Sequence, residues 1–125
     1  MDENELSKIT VNIAYQIHIQ LGPGLLESVY EEIMYYELNR QGLPTERQKA
    51  IPVIWDNLKM DLGFRADLII ENKIIVELKS VATIAPVHPK QLLTYLKVSG
   101  IKLGLLINFN ETLIRNGITR IVNNL

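Results

Sequence analysis

Two apolar stretches decide the fold, Ala66-Asp67-Leu68-Ile69-Ile70 and Val76-Glu77-Leu78-Lys79. Both are rich in the aliphatic residues that favour strands, and the turn-forming residues Glu71-Asn72-Lys73 lie between them. The pattern predicts an antiparallel pair of strands, one over Phe64 to Ile70 and the other over Ile74 to Ser80.

The length of the turn decides whether the charged side chains of this pair share a face. Side chains alternate along a strand, so Glu77 and Lys79 point the same way. If the turn has the three residues 71–73, Ile70 opposes Ile74 and Asp67 opposes Glu77, with their Cβ atoms about 5 Å apart. A two-residue turn would put the two carboxylates on opposite faces. We predict the three-residue turn.

Two carboxylates this close repel each other, and a divalent cation reverses the sign of that interaction. Proteins hold Mg²⁺ through one or two carboxylates together with phosphate oxygens and water. Lys79 on the same face could orient or deprotonate a water, or stabilise charge on a phosphate. These groups predict hydrolysis of a phosphodiester. Glu-x-Lys on a strand is also typical of a solvated face, but the apolar character of both strands favours the middle of a sheet.

The flanking sequence completes an α/β pattern. Apolar residues recur at helical spacing from Leu6 to Leu21 and from Leu25 to Asn39, with Gly22-Pro23-Gly24 between the two helices. The remaining predicted elements are strands at 49–55, 58–62, 103–108 and 118–122 and a third helix at 89–98. That helix joins two strands, which predicts a right-handed parallel crossover. We expect one α/β domain over residues 1–125, with a mixed sheet flanked by helices.

Composition limits the class of protein. The chain has 125 residues, of which 47% are hydrophobic and 22% charged, as in a single globular domain. It has no cysteine, which excludes disulfides, thiolate metal sites and a cysteine nucleophile. No apolar run is long enough for a membrane span, and the acidic start is unlike a signal peptide. We therefore expect a cytoplasmic location and no membrane partner.

Charge is spread unevenly along the chain. The net charge of −1 argues against binding nucleic acid through bulk charge alone. Residues 1–42 carry a net −5 and residues 43–125 a net +4. An anionic partner would therefore meet the later part of the chain, although acidic residues also favour the early turns of helices for reasons of local stability.

The third predicted helix carries two further candidates, Gln91 and Tyr95. They lie one helical turn apart on one face. The helix begins soon after Lys79, so its first turns can lie near the carboxyl end of that strand, where sites collect in α/β sheets. A half-buried amide and a tyrosine at the edge of the core are the alternative interpretation.

The earlier helices offer weaker candidates. Glu27 and Tyr30 are neighbours on the second helix, and the helix dipole alone could account for Glu27. His18 and His88 are each more typical of packing or capping, and His88 is the better candidate because it precedes Gln91 by one turn. Two distant histidines without cysteine do not make a closed zinc site.

Taken together, these residues resemble the GxxExxY proteins, a bacterial and archaeal group within the PD-(D/E)XK nuclease-like superfamily. The motif Gly24-x-x-Glu27-x-x-Tyr30 carries the resemblance, which covers nearly the whole chain. The other matching segments are Ile17-His18, Leu21-Gly22-Pro23-Gly24, Asp67 with Glu77-Leu78-Lys79, Pro86-Val87-His88, Gln91-x-x-x-Tyr95, Gly104-Leu105-Leu106-Ile107-Asn108-Phe109 and Gly117-Ile118-x-Arg120.

The resemblance implies a restriction-endonuclease-like core and a role for each candidate residue. Asp67 and Glu77 would be metal ligands and Lys79 the catalytic lysine. Glu27 would be an additional acid from the N-terminal helices. Alanine stands before Asp67 where the family pattern has proline. Gln91 and Tyr95 match the helix motif of the RecB-like branch.

We therefore predict a nuclease that uses Mg²⁺ or Mn²⁺ and acts on nucleic acid, DNA in preference to RNA, with a homodimer as a possible assembly. One alternative is a non-catalytic module that keeps the fold and binds nucleic acid or oligomerises. Another is a nuclease component of a mobile-element or defence system that is inactive without partners.

Overall fold

The computed structural model describes residues 1–125 as a five-stranded mixed sheet with helices on both faces. The helices are α1 (Glu3–Leu21), α2 (Glu27–Arg40) and α3 (Val87–Ser99), and the strands are β1 (Thr45–Trp55), β2 (Leu58–Ile70), β3 (Ile74–Lys79), β4 (Leu103–Asn108) and β5 (Ile118–Val122), with a short 3₁₀ turn (Ile114–Gly117) before β5. None of the helices is both long and apolar enough to cross a bilayer.

The sheet order is β1-β2-β3-β4-β5, in which β3 and β4 are parallel and every other neighbouring pair is antiparallel. Helix α3 connects the two parallel strands, because neighbouring parallel strands need a long crossover connection that is usually a helix. The predicted α/β class is therefore confirmed, and the arrangement is consistent with a restriction-endonuclease-like fold.

Apolar side chains cover both faces of the sheet. On one face, α1 and α2 pack against a cluster that contains Leu68, Ile70 and Val76. On the other face, α3 contributes Leu92 and Leu96 to a second apolar cluster. The strand residues of this second cluster are Ile51, Phe64, Ala66, Ile69, Ile75 and Leu106. A sheet buried on both sides explains why β3 and β4 read as nearly continuous apolar runs.

Two predicted strand boundaries were wrong. Strand β1 begins at Thr45, four residues before its predicted start. The sequence suggested two strands separated near Gly63, whereas β2 runs unbroken from Leu58 to Ile70. Gly63 serves close packing, because a Cβ there would lie 2.0 Å from Val53 Cγ2 and 3.2 Å from the carbonyl oxygen of Ile51. The register with β1 shifts at this place, so a bulge absorbs the irregularity that the sequence suggested as a break.

Asp67 lies where β2 changes the face that its side chains present. Phe64 and Ala66 belong to the cluster under α3, but Leu68 and Ile70 belong to the cluster under α1 and α2. Regular alternation would put all four on one face. The alternation is therefore broken between Ala66 and Leu68.

Candidate active site

The turn between β2 and β3 sets the register of the site. Ile70 pairs with Ile74 and Leu68 pairs with Val76, so the three-residue turn and its register are confirmed. Glu71 and Asn72 take φ values of 49° and 55°, a conformation that asparagine adopts more readily than most residues. Continuing the register by one pair puts Asp67 opposite Glu77.

The Asp67 side chain continues the contact between the two strands where their backbone pairing ends. Its Oδ2 accepts a hydrogen bond of 2.9 Å from the backbone N–H of Leu78. The last backbone pair recorded before this point joins Leu68 to Val76. The carboxylate is therefore anchored to β3 beside Glu77.

Glu77 is held in a state that disfavours its charge. Its Oε1 is shielded from solvent and has no hydrogen-bond partner. Burial, followed by the neighbouring charge of Asp67, raises the pKa of Glu77 to about 9, although the charge of Lys79 acts in the opposite direction. At neutral pH the pair therefore holds a proton that a divalent cation could replace.

Tyr95 joins this pair from α3. Its ring stacks on Phe64, with centroids 3.9 Å apart and planes within 3° of parallel. Burial raises the pKa of Tyr95, and the charges of Glu77 and Asp67 raise it further. The Tyr95 hydroxyl therefore lies near enough to both carboxylates for their charges to affect its ionisation.

The other two candidates on this side differ in surroundings. Lys79 is half-buried and forms no ion pair within 4.0 Å, so its ammonium is free to meet an anion. Gln91 lies on the exposed side of α3, one turn before Tyr95. Its role as a site residue stays a prediction.

Tyr30 holds the connection that leads into α2 and Glu27. Its hydroxyl donates to the carbonyl of Gly22 at 2.6 Å and accepts from the N–H of Leu25 at 3.2 Å. Ser80, which follows Lys79 directly, donates from Oγ to the carbonyl of Leu25 at 2.6 Å. The start of α2 is therefore fastened beside the carboxyl end of β3.

The structure brings together two of the three predicted acidic ligands. No group of three or more histidine, cysteine, aspartate and glutamate side chains could hold a metal ion. Glu27 is exposed at the first position of α2, so its part as a third ligand stays a prediction. The pair formed by Asp67 and Glu77 fits a divalent cation, because two carboxylates lie together and the shielded Oε1 of Glu77 has no hydrogen-bond partner.

Two residues near the site were missed at the level of sequence. Asn108 is buried at the end of β4, where its side chain donates to the carbonyl of Val81 at 2.9 Å and accepts from the N–H of Val81 at 3.1 Å. It thereby fixes the segment that follows Lys79. Its signals were its position at the end of an apolar strand and its place in the matching segment Gly104 to Phe109. Gln48 touches Asp67 from β1, with 3.2 Å between Nε2 and Oδ1, and no local pattern marked it.

The two histidines differ in their surroundings. His18 lies 2.7 Å, through Nε2, from the carbonyl oxygen of Glu111, which gives it a structural role between α1 and the segment after β4. His88 has a shielded Nδ1 without a hydrogen-bond partner.

Replacing Glu77 with glutamine should change the pH dependence of stability in the absence of metal. The folded-state pKa lies above the ordinary value of 4.5, so the contribution of Glu77 to the free energy of unfolding is fully present below that pH and is lost as pH rises towards 9. The slope for one proton is at most about 1.4 kcal/mol per pH unit. Urea unfolding in EDTA should show Glu77→Gln more stable than wild type at about pH 8, with a smaller difference at about pH 5.

The exposed Asp61 on β2 offers a matched control. Asp61→Asn should follow the wild-type curve. Parallel curves for wild type and Glu77→Gln would contradict the raised pKa.

Comparison with known proteins gives one match. The family model of the PD-(D/E)XK nuclease superfamily matches residues 4–121. A search of curated proteins and a search of solved structures each gave no match. Since the matched range takes in both carboxylates, Lys79 and the whole sheet except the last residue of β5, the chain belongs to the PD-(D/E)XK nuclease superfamily.

Proposed function

We propose that this domain is a metal-dependent nuclease that hydrolyses phosphodiester bonds, with Mg²⁺ or Mn²⁺ held between Asp67 and Glu77. The observation that carries the proposal is the shielded, unpartnered Oε1 of Glu77 next to a second carboxylate. A fold without catalysis would gain stability by replacing one of these acids, so the pair needs a functional reason.

Each residue of the proposed site has its own task. A bound divalent ion would supply Lewis-acid polarisation of the phosphate and a water of lowered pKa. Asp67 and Glu77 would hold it, and the exposed Glu27 would add an acid from α2. Lys79 meets negative charge on the phosphate or orients the attacking water. Tyr95 offers a hydroxyl beside the carboxylates.

We further propose nucleic acid as the substrate, DNA in preference to RNA, and a cytoplasmic location. The superfamily implies a nucleic-acid substrate, and the net charge of +4 over residues 43–125 supports an anionic partner for the part of the chain that carries the pair. Assignment to the GxxExxY group within the superfamily and the homodimer stay predictions, and sedimentation velocity measures the latter.

Asp67→Asn should separate metal binding from folding. Without metal, the substitution removes a charge that opposes Glu77, and its amide oxygen can still accept from Leu78. It gives up the long 3.2 Å hydrogen bond from the exposed Gln48, so the net change in stability should be small. With Mn²⁺ at a hundred times its dissociation constant, the wild type should gain about 2.7 kcal/mol. Thermal melts with EDTA and with Mn²⁺ should show that Asp67→Asn loses most of this gain. Equal Mn²⁺ shifts in both proteins would mean that Asp67 is not a ligand.

Lys79→Met should reduce cleavage by about a hundredfold or more, because it removes the cation that faces the developing charge and keeps most of the side-chain volume. The assay uses purified protein on single- and double-stranded DNA and RNA with Mg²⁺, Mn²⁺ or EDTA. Lys102→Met, at an exposed position just before β4, is the matched control and should cleave as the wild type does. Full cleavage by Lys79→Met would reject this role. Metal binding without cleavage of any substrate by the wild type would favour the non-catalytic or partner-dependent alternatives.

Gln91→Ala should impair cleavage more than folding. The residue is exposed on α3, so its removal leaves the packing of Leu92 and Leu96 intact and should shift the melting temperature little. The same cleavage assay and a thermal melt measure both effects. Unchanged cleavage would assign Gln91 to the surface of the helix and remove it from the site.

A further inference from the structure

We propose that Gln48 is a positioning residue that orients Asp67 for a divalent cation and ties it to α2. This inference rests on the proposed function, because it assigns a role toward the same ion. Strand β1 is irregular at Gln48. The pairs Arg47–Leu68 and Lys49–Ala66 are both present in the register, but the intervening pair of Gln48 with Asp67 is absent. Gln48 has a φ of 49°, a conformation that non-glycine residues seldom adopt.

The unusual backbone directs the Gln48 amide between two acids. Its Nε2 lies 2.6 Å from Oε1 of Glu31 and 3.2 Å from Oδ1 of Asp67. An amide nitrogen has two hydrogens to donate, one for each carboxylate, and an ionised carboxylate only accepts. The chemistry of the neighbours therefore fixes which end of the amide faces them. Gln48 is itself exposed, so these hydrogen bonds and not burial hold the side chain.

Both oxygens of Asp67 are consequently held by neutral donors. Leu78 donates to Oδ2 from its backbone and Gln48 donates to Oδ1 from its side chain. Neutral donors fix the plane of a carboxylate without cancelling its charge, so the attraction for a cation is preserved. A lysine or arginine in the place of Gln48 would compete with that cation.

The charge of Glu31 is compensated elsewhere. Glu31 is buried on α2, and its Oε2 lies 3.1 Å from Nη2 of Arg47. Arg47, which also pairs with Glu32, thus gives the acid at the far end of the chain of contacts a basic partner, while Asp67 at the near end has none within 4.0 Å. Helix α2, which also carries Glu27, is linked to Asp67 through Glu31 and Gln48. Outer residues of this kind orient metal ligands, and their loss typically weakens metal affinity about ten- to a hundredfold.

The test measures Mn²⁺ affinity by isothermal titration calorimetry on the full chain, without nucleic acid. Gln48→Met keeps the length of the side chain and removes the donor. Gln48→Gly removes the same donor but favours the φ of 49°, so it serves if the methionine variant folds poorly. Gln20→Met, on the exposed surface of α1, is the matched control.

We expect the dissociation constant for Mn²⁺ to rise about tenfold or more in the folded Gln48 variants and to stay unchanged in Gln20→Met. A merely structural role would lower the melting temperature in EDTA and leave that constant alone. Wild-type affinity in a folded Gln48 variant would overturn the positioning role while leaving the proposed metal site intact. Absence of Mn²⁺ binding by the wild type would contradict both the metal site and the role of Gln48.

Discussion

The hydrogen bond from the Leu78 amide to Asp67 Oδ2 is the contact on which the site depends. It fixes a carboxylate where β2 and β3 cease to pair, directly beside Glu77. The fixed charge of Asp67 and the burial of Glu77 together keep Glu77 protonated, with a pKa of about 9. A divalent cation would stabilise two carboxyl groups placed this close together. Without metal, their burial and mutual repulsion lower the stability of the fold.

The two apolar layers make this arrangement possible. Helices α1 and α2 cover one face of the sheet and α3 covers the other. Strand β3 is therefore buried along most of its length, and Glu77 lies in surroundings that disfavour its charged form. The stacked pair of Phe64 and Tyr95 closes the α3 side. On the opposite side, Tyr30 and Ser80 fasten the connection between α1 and α2 to the end of β3. The helices that stabilise the fold by covering the sheet are therefore also the ones that shield Glu77 from solvent.

Features governed by local spacing were predictable from sequence. The turn at 71–73 predicted the register of β2 and β3, and the helical spacing of Gln91 and Tyr95 placed both on α3. Features that depend on distant partners were not. Gly63 read as a break because its contact with Val53 exists only in the folded sheet. The approach of Gln48 to Asp67 needs a left-handed backbone at a non-glycine residue and an acid seventeen positions earlier, and neither has a local sequence signal.

The central claim is that the pair of Asp67 and Glu77 exchanges a shared proton for a divalent cation. Carboxyl ¹³C chemical shifts, followed by NMR as pH is varied, report the pKa of Glu77 directly, and Mg²⁺ is diamagnetic. We expect a pKa of about 9 in EDTA and a large fall when Mg²⁺ saturates the site, because the cation favours the ionised form. An ordinary pKa in EDTA, or a pKa that stays near 9 at saturating Mg²⁺, would contradict it.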